Sequence, residues 1–332
     1  ASGKKLGLAE DRIYTSYEEM AKAESTRPDG IQAVSIVTPN HMHFGPTKAF
    51  LEAGIHVICD KPITSSLDDA RKLTAIKPAN GAKFLLTHNY TGYPLIRQAR
   101  ELVASGALGN IRVVQAEYAQ DWLTEPADED NKQAAWRTDP ARSGAGGCIG
   151  DIGTHAYNLA CFVSGLELAE LSAELTTFVE GRRLDDNVQV MLRFRGGARG
   201  MLWASQVAPG NENGLRLRIY GEKGGLEWEQ EQPNHLWFTP FGEPKRLITR
   251  GGAGAGAAAG RVTRVPAGHP EGYLEGFATI YQEAAHAIRA ARAGKPAGPE
   301  VLYPGISDGL AGMAFIDACV RSSRANGRWT SL

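Results

Sequence analysis

Apolar and polar residues over the first hundred positions fall into alternating blocks of two kinds. Residues 16–23 place apolar positions at helical spacing behind Ser16, with Glu19 where a capping box needs it. Ala33-Val34-Ser35-Ile36-Val37 is a short, nearly continuous apolar run, the pattern of a buried strand. Residues 45–53 read as a helix closed by Gly54, and His56-Val57-Ile58-Cys59 as a second strand. Residues 66–76 form a helix with acids early and bases late. A third strand spans 83–87, and a helix follows over 93–105, stopped by Gly106. Strands alternating with helices at this spacing predict a parallel sheet covered on both faces.

From residue 111 the period changes to two. Segments 111–120, 171–179, 188–194, 200–207, 215–220 and 226–229 alternate, with glycine turns at Gly196-Gly197 and Gly221 to Gly224 between them. They predict a large, open, mainly antiparallel sheet with helices on one face. Apolar residues occur at both parities in 188–194 and 201–207, so both faces of that sheet are expected to be covered, one by a second subunit. Long amphipathic helices are predicted over 273–293 and 306–324, the second packing back on the first layer. The fold class is therefore α/β plus α+β. The expected domains are 1–110, 111–304 and a returning C-terminal helix in 305–332. The run Gly251-Gly252-Ala253-Gly254 onward to Gly260 superficially matches a dinucleotide fingerprint, but a basic segment follows it, and a loop is expected.

Composition narrows the functional classes. Among 332 residues, 42% are hydrophobic and 22% charged, with a net charge of -1. That balance gives no electrostatic reason to expect nucleic acid or an anionic membrane as partner. No apolar run is long enough to span a bilayer, and a cytoplasmic protein is expected. The four cysteines are scattered without metal-type spacing, as in a reduced protein, and His43, His56, His235 and His286 show no ligand pattern. No metal is predicted.

Two stretches carry candidate chemistry. In Gly146-Gly147-Cys148-Ile149-Gly150-Asp151, continuing to His155 and Asn158, the acid and the imidazole are four residues apart and share a face of a helix. The glycines before them permit close backbone approach. Asp151 as a cap and His155 as a satisfied core histidine is the bland alternative. The second stretch is Asp60-Lys61-Pro62, at a predicted strand end. The other two strand ends carry Thr38-Pro39-Asn40-His41 and His88-Asn89. In such sheets ligands sit beyond the carboxyl ends of the strands, which puts these groups at one site.

Together these marks resemble the Gfo/Idh/MocA family of NAD(P)-dependent oxidoreductases, and the resemblance covers essentially the whole chain. It rests on Thr38 to His41, on Asp60-Lys61-Pro62 in place of the commoner Glu-Lys-Pro, on 146–155, and on the long sheet and late helices. The 120–122 and 268–273 stretches look like a polyol- or sugar-oxidising branch. The family opens with a strand, a glycine-rich turn and a helix of a Rossmann-type fold, and nothing before Ser16 matches these. A further N-terminal piece of about fifty to seventy residues, the size of a βαβ unit, is therefore expected.

The resemblance implies hydride transfer between a secondary alcohol and NAD or NADP. It assigns His155 as general base, with Asp151 orienting it or holding the substrate hydroxyl, and Lys61 donating to the reacting oxygen. Thr38, Pro39, Asn40, His41, Asp60, Lys61, His88, Asn89, Trp136 and Arg137 are the expected cofactor neighbours. Tyr118, Gln120, Asp121, Trp122, Asn158, His269 and Tyr273 are the expected substrate contacts, a polyol requiring several hydrogen-bonding groups and a flat apolar surface. A homodimer or homotetramer through the open sheet is expected by the same resemblance. The alternatives are the reductase direction on a keto-sugar, a sugar or dinucleotide sensor on the same scaffold, and a glycosidase that uses NAD transiently.

Overall fold

The structure, a computed structural model, describes residues 2–126 and 131–332. The helix Tyr17–Thr26 starts at Ser16, whose hydroxyl accepts from the Glu19 amide at 3.2 Å. Ser66 caps Leu67–Thr74 in the same way, through the Asp69 amide. Strands β1 (Ala33–Ile36), β2 (His56–Cys59) and β3 (Phe84–Leu86) pair in parallel in that order. Strands β2 and β3 are buried at every position, which is why they read as unbroken apolar runs. Strand β1 departs from that pattern at Ser35, exposed and in hydrogen-bond contact with the Tyr281 hydroxyl. All three strands point the same way, so their carboxyl ends lie side by side.

The second sheet has nine strands. In chain order they are β4 (Ile111–Ala119), β5 (Leu168–Thr176), β6 (Asn187–Phe194), β7 (Arg199–Ser205), β8 (Gly214–Gly221) and β9 (Gly224–Glu229). Then come β10 (His235–Pro240), β11 (Arg246–Thr249) and β12 (Thr330–Ser331), which the alternation alone had not marked. The spatial order is β11-β10-β9-β8-β4-β7-β6-β5-β12, antiparallel throughout except for the parallel β4–β7 pair. Strand β5 lies three residues earlier than the expected 171–179. The Asp186 carboxylate accepts the amides of Phe178 and Val179, which turns the chain out of the ladder there.

Alternation sets which face is buried. Val188, Val190, Leu192 and Phe194 are buried while Gln189 and Met191 are exposed. The helix Thr154–Ser164 packs on β4, β7 and β8, and Ile306–Arg324 packs on β5 and on Leu67–Thr74, tying the two sheets together. Each apolar side chain buried on this face is worth roughly 1.5–3 kcal/mol, so a one-residue slip of register would be prohibitive. The other face is not covered by the described chain. Its pairing register aligns Met191, Met201, Gln115, Arg218, Glu227 and Trp237 in a row across six strands.

The expectation of a loop over 251–260 needs correction. Ala257–Val262 is helical, because three consecutive alanines are strong helix formers. Two tethers hold this turn: the Gly256 amide donates to Gln98, and Arg261 pairs with buried Glu283. Among the described residues, no helix is long and apolar enough to cross a membrane.

Candidate active site

A cavity of about 980 Å³ opens at the carboxyl ends of β1 to β3 and is closed on the other side by the large sheet. Thr38, Pro39 and Asn40 line it from the end of β1, Asp60 and Lys61 from β2, and Asn89 from β3. Short tethers fix these ends. Thr87 donates to Asp60 at 2.6 Å, and Asn40 donates to the Ser143 carbonyl at 2.9 Å. Buried His43 places its two ring nitrogens 2.7 Å from the Pro62 carbonyl and 2.8 Å from that of Thr38, stitching the β1 end to the β2 end. His41 sits in the same turn but faces solvent and does not reach the cavity.

The glycine-rich stretch enters the cavity wall as a π turn, Ile149–Gly153, before the α-helix begins at Thr154. Close approach is real at Gly147, where a Cβ would lie 2.3 Å from the Asp185 carbonyl oxygen. Asp185 then accepts from the Gly147 and Ile149 amides at 2.7 and 2.8 Å. Burial pushes its carboxyl up to about 6 against the pull of those amides. This clamp holds Asp151 and His155 at the cavity wall.

Asp151 is a hub for cations rather than a partner of His155. Lys61 Nζ donates to its carbonyl at 2.6 Å and to Oδ1 at 2.8 Å, while Gln206 donates to Oδ2 at 3.0 Å. Arg137 Nε lies 3.3 Å from the same Oδ2 and stacks on the Trp136 ring. Burial works to raise the Asp151 carboxyl, but Lys61 and Arg137 outweigh it and hold the group below the usual carboxylate range. Both carboxylate oxygens are thus occupied, and the expected role of orienting His155 is corrected. The polar partner of His155 is His88, with the two Nδ1 atoms 3.4 Å apart. His88 itself lies behind His155 and off the cavity surface.

Four of the expected substrate contacts reach the cavity: Tyr118, Gln120, Trp122 and Tyr273. A polar chain locks the first three. Trp122 donates to Gln120, and Gln120 and Tyr118 both donate to Asn213 Oδ1 at 2.8 Å. Tyr90, whose ring meets His155 edge-on at 4.9 Å, completes the chain through a 2.5 Å contact with the Tyr118 hydroxyl. The other three expected contacts lie elsewhere. Asp121, beyond the end of β4, accepts from the Gly210 amide instead. Asn158 lies almost one helical turn beyond His155, buried and away from the cavity surface. His269 is exposed in a loop whose carbonyl is held by Arg250. Gln206, Asn213, Tyr90, Asp185 and His43 went unread, because each acquires its role only from partners far along the chain.

Lys61 retains capacity for a ligand. An ammonium has three donors and two are used on Asp151. Asn89 lines the cavity, and its Nδ2 is buried without a partner among the described residues. No group of three His, Cys, Asp or Glu side chains gathers in metal-binding geometry among the described residues.

Comparison with known proteins fits this geometry. Residues 4–89 match the model of an oxidoreductase family with an NAD-binding Rossmann fold, and residues 96–227 match the GFO/IDH/MocA C-terminal domain. An uncharacterized oxidoreductase of Bacillus subtilis is 34% identical over 331 residues, which cover 98% of this chain and 84% of that protein. The crystal structure of an oxidoreductase from Sinorhizobium meliloti superposes with a TM-score of 0.89 at 57% identity, covering 99% of this chain and 88% of that one. An inositol dehydrogenase homolog from Azotobacter vinelandii, solved with NADH and myo-inositol, superposes with a TM-score of 0.91 at 36% identity, covering 99% and 86%.

Proposed function

The chain belongs to the GFO/IDH/MocA family of NAD(P)-dependent oxidoreductases, and on that premise we propose that it moves a hydride between a secondary alcohol of a cyclic polyol or sugar and the nicotinamide of NAD. The observation that carries this reading is the meeting of Lys61 and His155 on one cavity wall, with Asp151 between them and polar and aromatic groups opposite. The relative solved with NADH and myo-inositol supports the choice of nucleotide and of substrate class.

Thr38, Pro39, Asn40 and Asn89 would hold the nicotinamide end of the dinucleotide. Bound NAD supplies the acceptor for the hydride. His155 takes the hydroxyl proton. Its imidazole is neutral at neutral pH, because burial, then the Lys61 charge and His88, push its pKa well below the ordinary value. A base held below its ordinary range accepts the proton most readily as departure of the hydride makes the hydroxyl more acidic. The free Lys61 donor faces the alcohol oxygen and stabilises its developing charge. Tyr118, Gln120, Trp122 and Tyr273 form the wall that selects the polyol. Reduction of a keto-sugar would use the same groups in reverse.

The test is appearance of reduced nicotinamide when the protein is given NAD, or separately NADP, with myo-inositol and a panel of polyols and aldoses. Turnover with NAD and at least one cyclic polyol or sugar is expected. Ligands that bind tightly but never turn over would identify a sensor, and product without net reduced cofactor would point to the glycosidase reading.

We also assign the open sheet face to a second copy of the chain. Met191 and Met201 are 51% and 44% exposed, face each other across β6 and β7, and are flanked by ion pairs such as Arg218–Glu117. Met191→Glu with Met201→Glu should shift the mass measured by light scattering down to that of a monomer. An unchanged oligomer, or a wild-type monomer, would remove this face from the assembly.

A further inference from the structure

The end of β3 places a second imidazole directly behind the first. His88 is 2% exposed, does not line the cavity, and has its ring at 87° to that of His155. Its main chain is pinned: the amide donates to the Leu86 carbonyl, and Thr91 donates to its own carbonyl. The Nδ1 atoms of the two rings face each other at 3.4 Å. A neutral imidazole carries one donor and one acceptor nitrogen, so one Nδ1 must bear the hydrogen and the other must accept it. With its Nδ1 turned to His88, His155 has only Nε2 left for the cavity.

We propose that His88 is the positioning residue for His155: its Nδ1 accepts the His155 Nδ1 hydrogen and so fixes the tautomer whose Nε2 lone pair faces the substrate. The inference rests on the reading of His155 as proton acceptor. The other groups around His155 are committed elsewhere. Asp151 is bound by Lys61, Gln206 and Arg137, and the Tyr90 and Tyr118 hydroxyls are bound to each other and to Asn213. The two cations, Lys61 and Arg137, are both paired with Asp151, and the Tyr273 phenol lies across the cavity. Burial, reinforced by Lys61, pushes His88 down to about 3, so it stays neutral and free to accept. A neutral orienter steers the ring without the attraction that a carboxylate would exert on the imidazolium. The proton can then leave Nε2 for solvent or product once the hydride has moved.

The test compares wild type with His88→Asn, whose amide oxygen can replace Nδ1 as acceptor, with His88→Leu, and with His155→Ala. Nitrogen NMR of the ligand-free protein reads the His155 tautomer, and steady-state kinetics with NAD and the best polyol read its consequence. Wild type and His88→Asn should carry the hydrogen on Nδ1, and His88→Leu should carry it largely on Nε2. In His88→Leu, kcat should fall roughly ten- to a hundredfold, by analogy with loss of the partner that orients a metal-bound histidine. Its KM should stay within about threefold, since His88 does not touch the cavity. His88→Asn should recover most of kcat. A hydrogen on Nε2 in wild type, an unchanged kcat in His88→Leu, or a loss of kcat in His88→Asn as large as that in His88→Leu would overturn the proposal. An active His155→Ala would instead overturn the assignment beneath it, whereas an inactive His155→Ala beside an unaltered His88→Leu removes only the role of His88.

Discussion

His155→Ala should lose about 10²–10⁴-fold in kcat, the usual value of a positioned base, while dinucleotide and polyol still bind. The expected asymmetry follows from where the ring sits. One edge of His155 meets Tyr90, Tyr118 and His88, and the remaining edge lines the cavity. Binding of the polyol draws mainly on the wall of Tyr118, Gln120 and Trp122, which Asn213 keeps in place whatever stands at position 155. Removing the ring also leaves a gap among three aromatic neighbours, so His155→Gln is the companion variant that fills the space without supplying a base. Calorimetric titration of both ligands, set beside single-turnover rates, separates binding from chemistry. Equal losses of affinity and rate would point to a binding protein on this scaffold and against an enzyme.

Lys61→Met should have a double effect. Catalysis loses the donor facing the alcohol oxygen, for about 10²–10³-fold in kcat. Folding loses the ammonium that satisfies both the carbonyl and Oδ1 of Asp151, a charge-assisted pair worth on the order of 2 kcal/mol. Arg137 and Gln206 remain on Oδ2, which keeps the loss below that of stranding a buried carboxylate entirely. The pH dependence has a definite sign. The Asp151 carboxyl is held below its ordinary 3.8 in the folded protein, so its contribution is fully present above that pH and is lost as pH falls through the lower folded value. In Lys61→Met only Arg137 and Gln206 oppose the effect of burial, so the variant's Asp151 protonates first on acidification; the stability gap should be widest near neutral pH, narrow as that carboxyl titrates, and close as pH falls through the wild-type value. Urea unfolding at a series of pH values measures this. Equal stabilities at neutral pH, or an unaltered kcat, would show that Lys61 is an ordinary strand-end cation.

Much of this architecture was legible in the order of residues. Apolar runs over 33–37, 56–59 and 83–87 gave three strands at nearly their observed bounds, most cleanly for β2 and β3, where burial on both faces leaves no room for exposed polar residues. Ser16 and Ser66 marked helix starts, since a cap is satisfied by amides two or three residues away. The strand-end rule brought Thr38, Lys61 and Asn89 to one cavity without any knowledge of their contacts. Alternation failed where a side chain from elsewhere captured the backbone, as Asp186 does at Phe178 and Val179. Composition misread 251–260 because flexibility was inferred from glycine while the alanines and Gln98 hold a helical turn.

The sequence by itself determined the two kinds of sheet, the faces they bury and the residue types at the mouth of the cavity. These follow from short-range periodicity and from the cost of hiding polar groups. Only the tertiary structure decided how those residues are paired. Asp151 turned to Lys61, Arg137 and Gln206 rather than to its helical neighbour His155, and His155 met His88. Asp121 and His269 turned away from a cavity that their neighbours line. Such pairings join positions 55, 67 or 90 residues apart in the chain, and a hydrogen bond depends on ångström distances and on angles that no local pattern encodes.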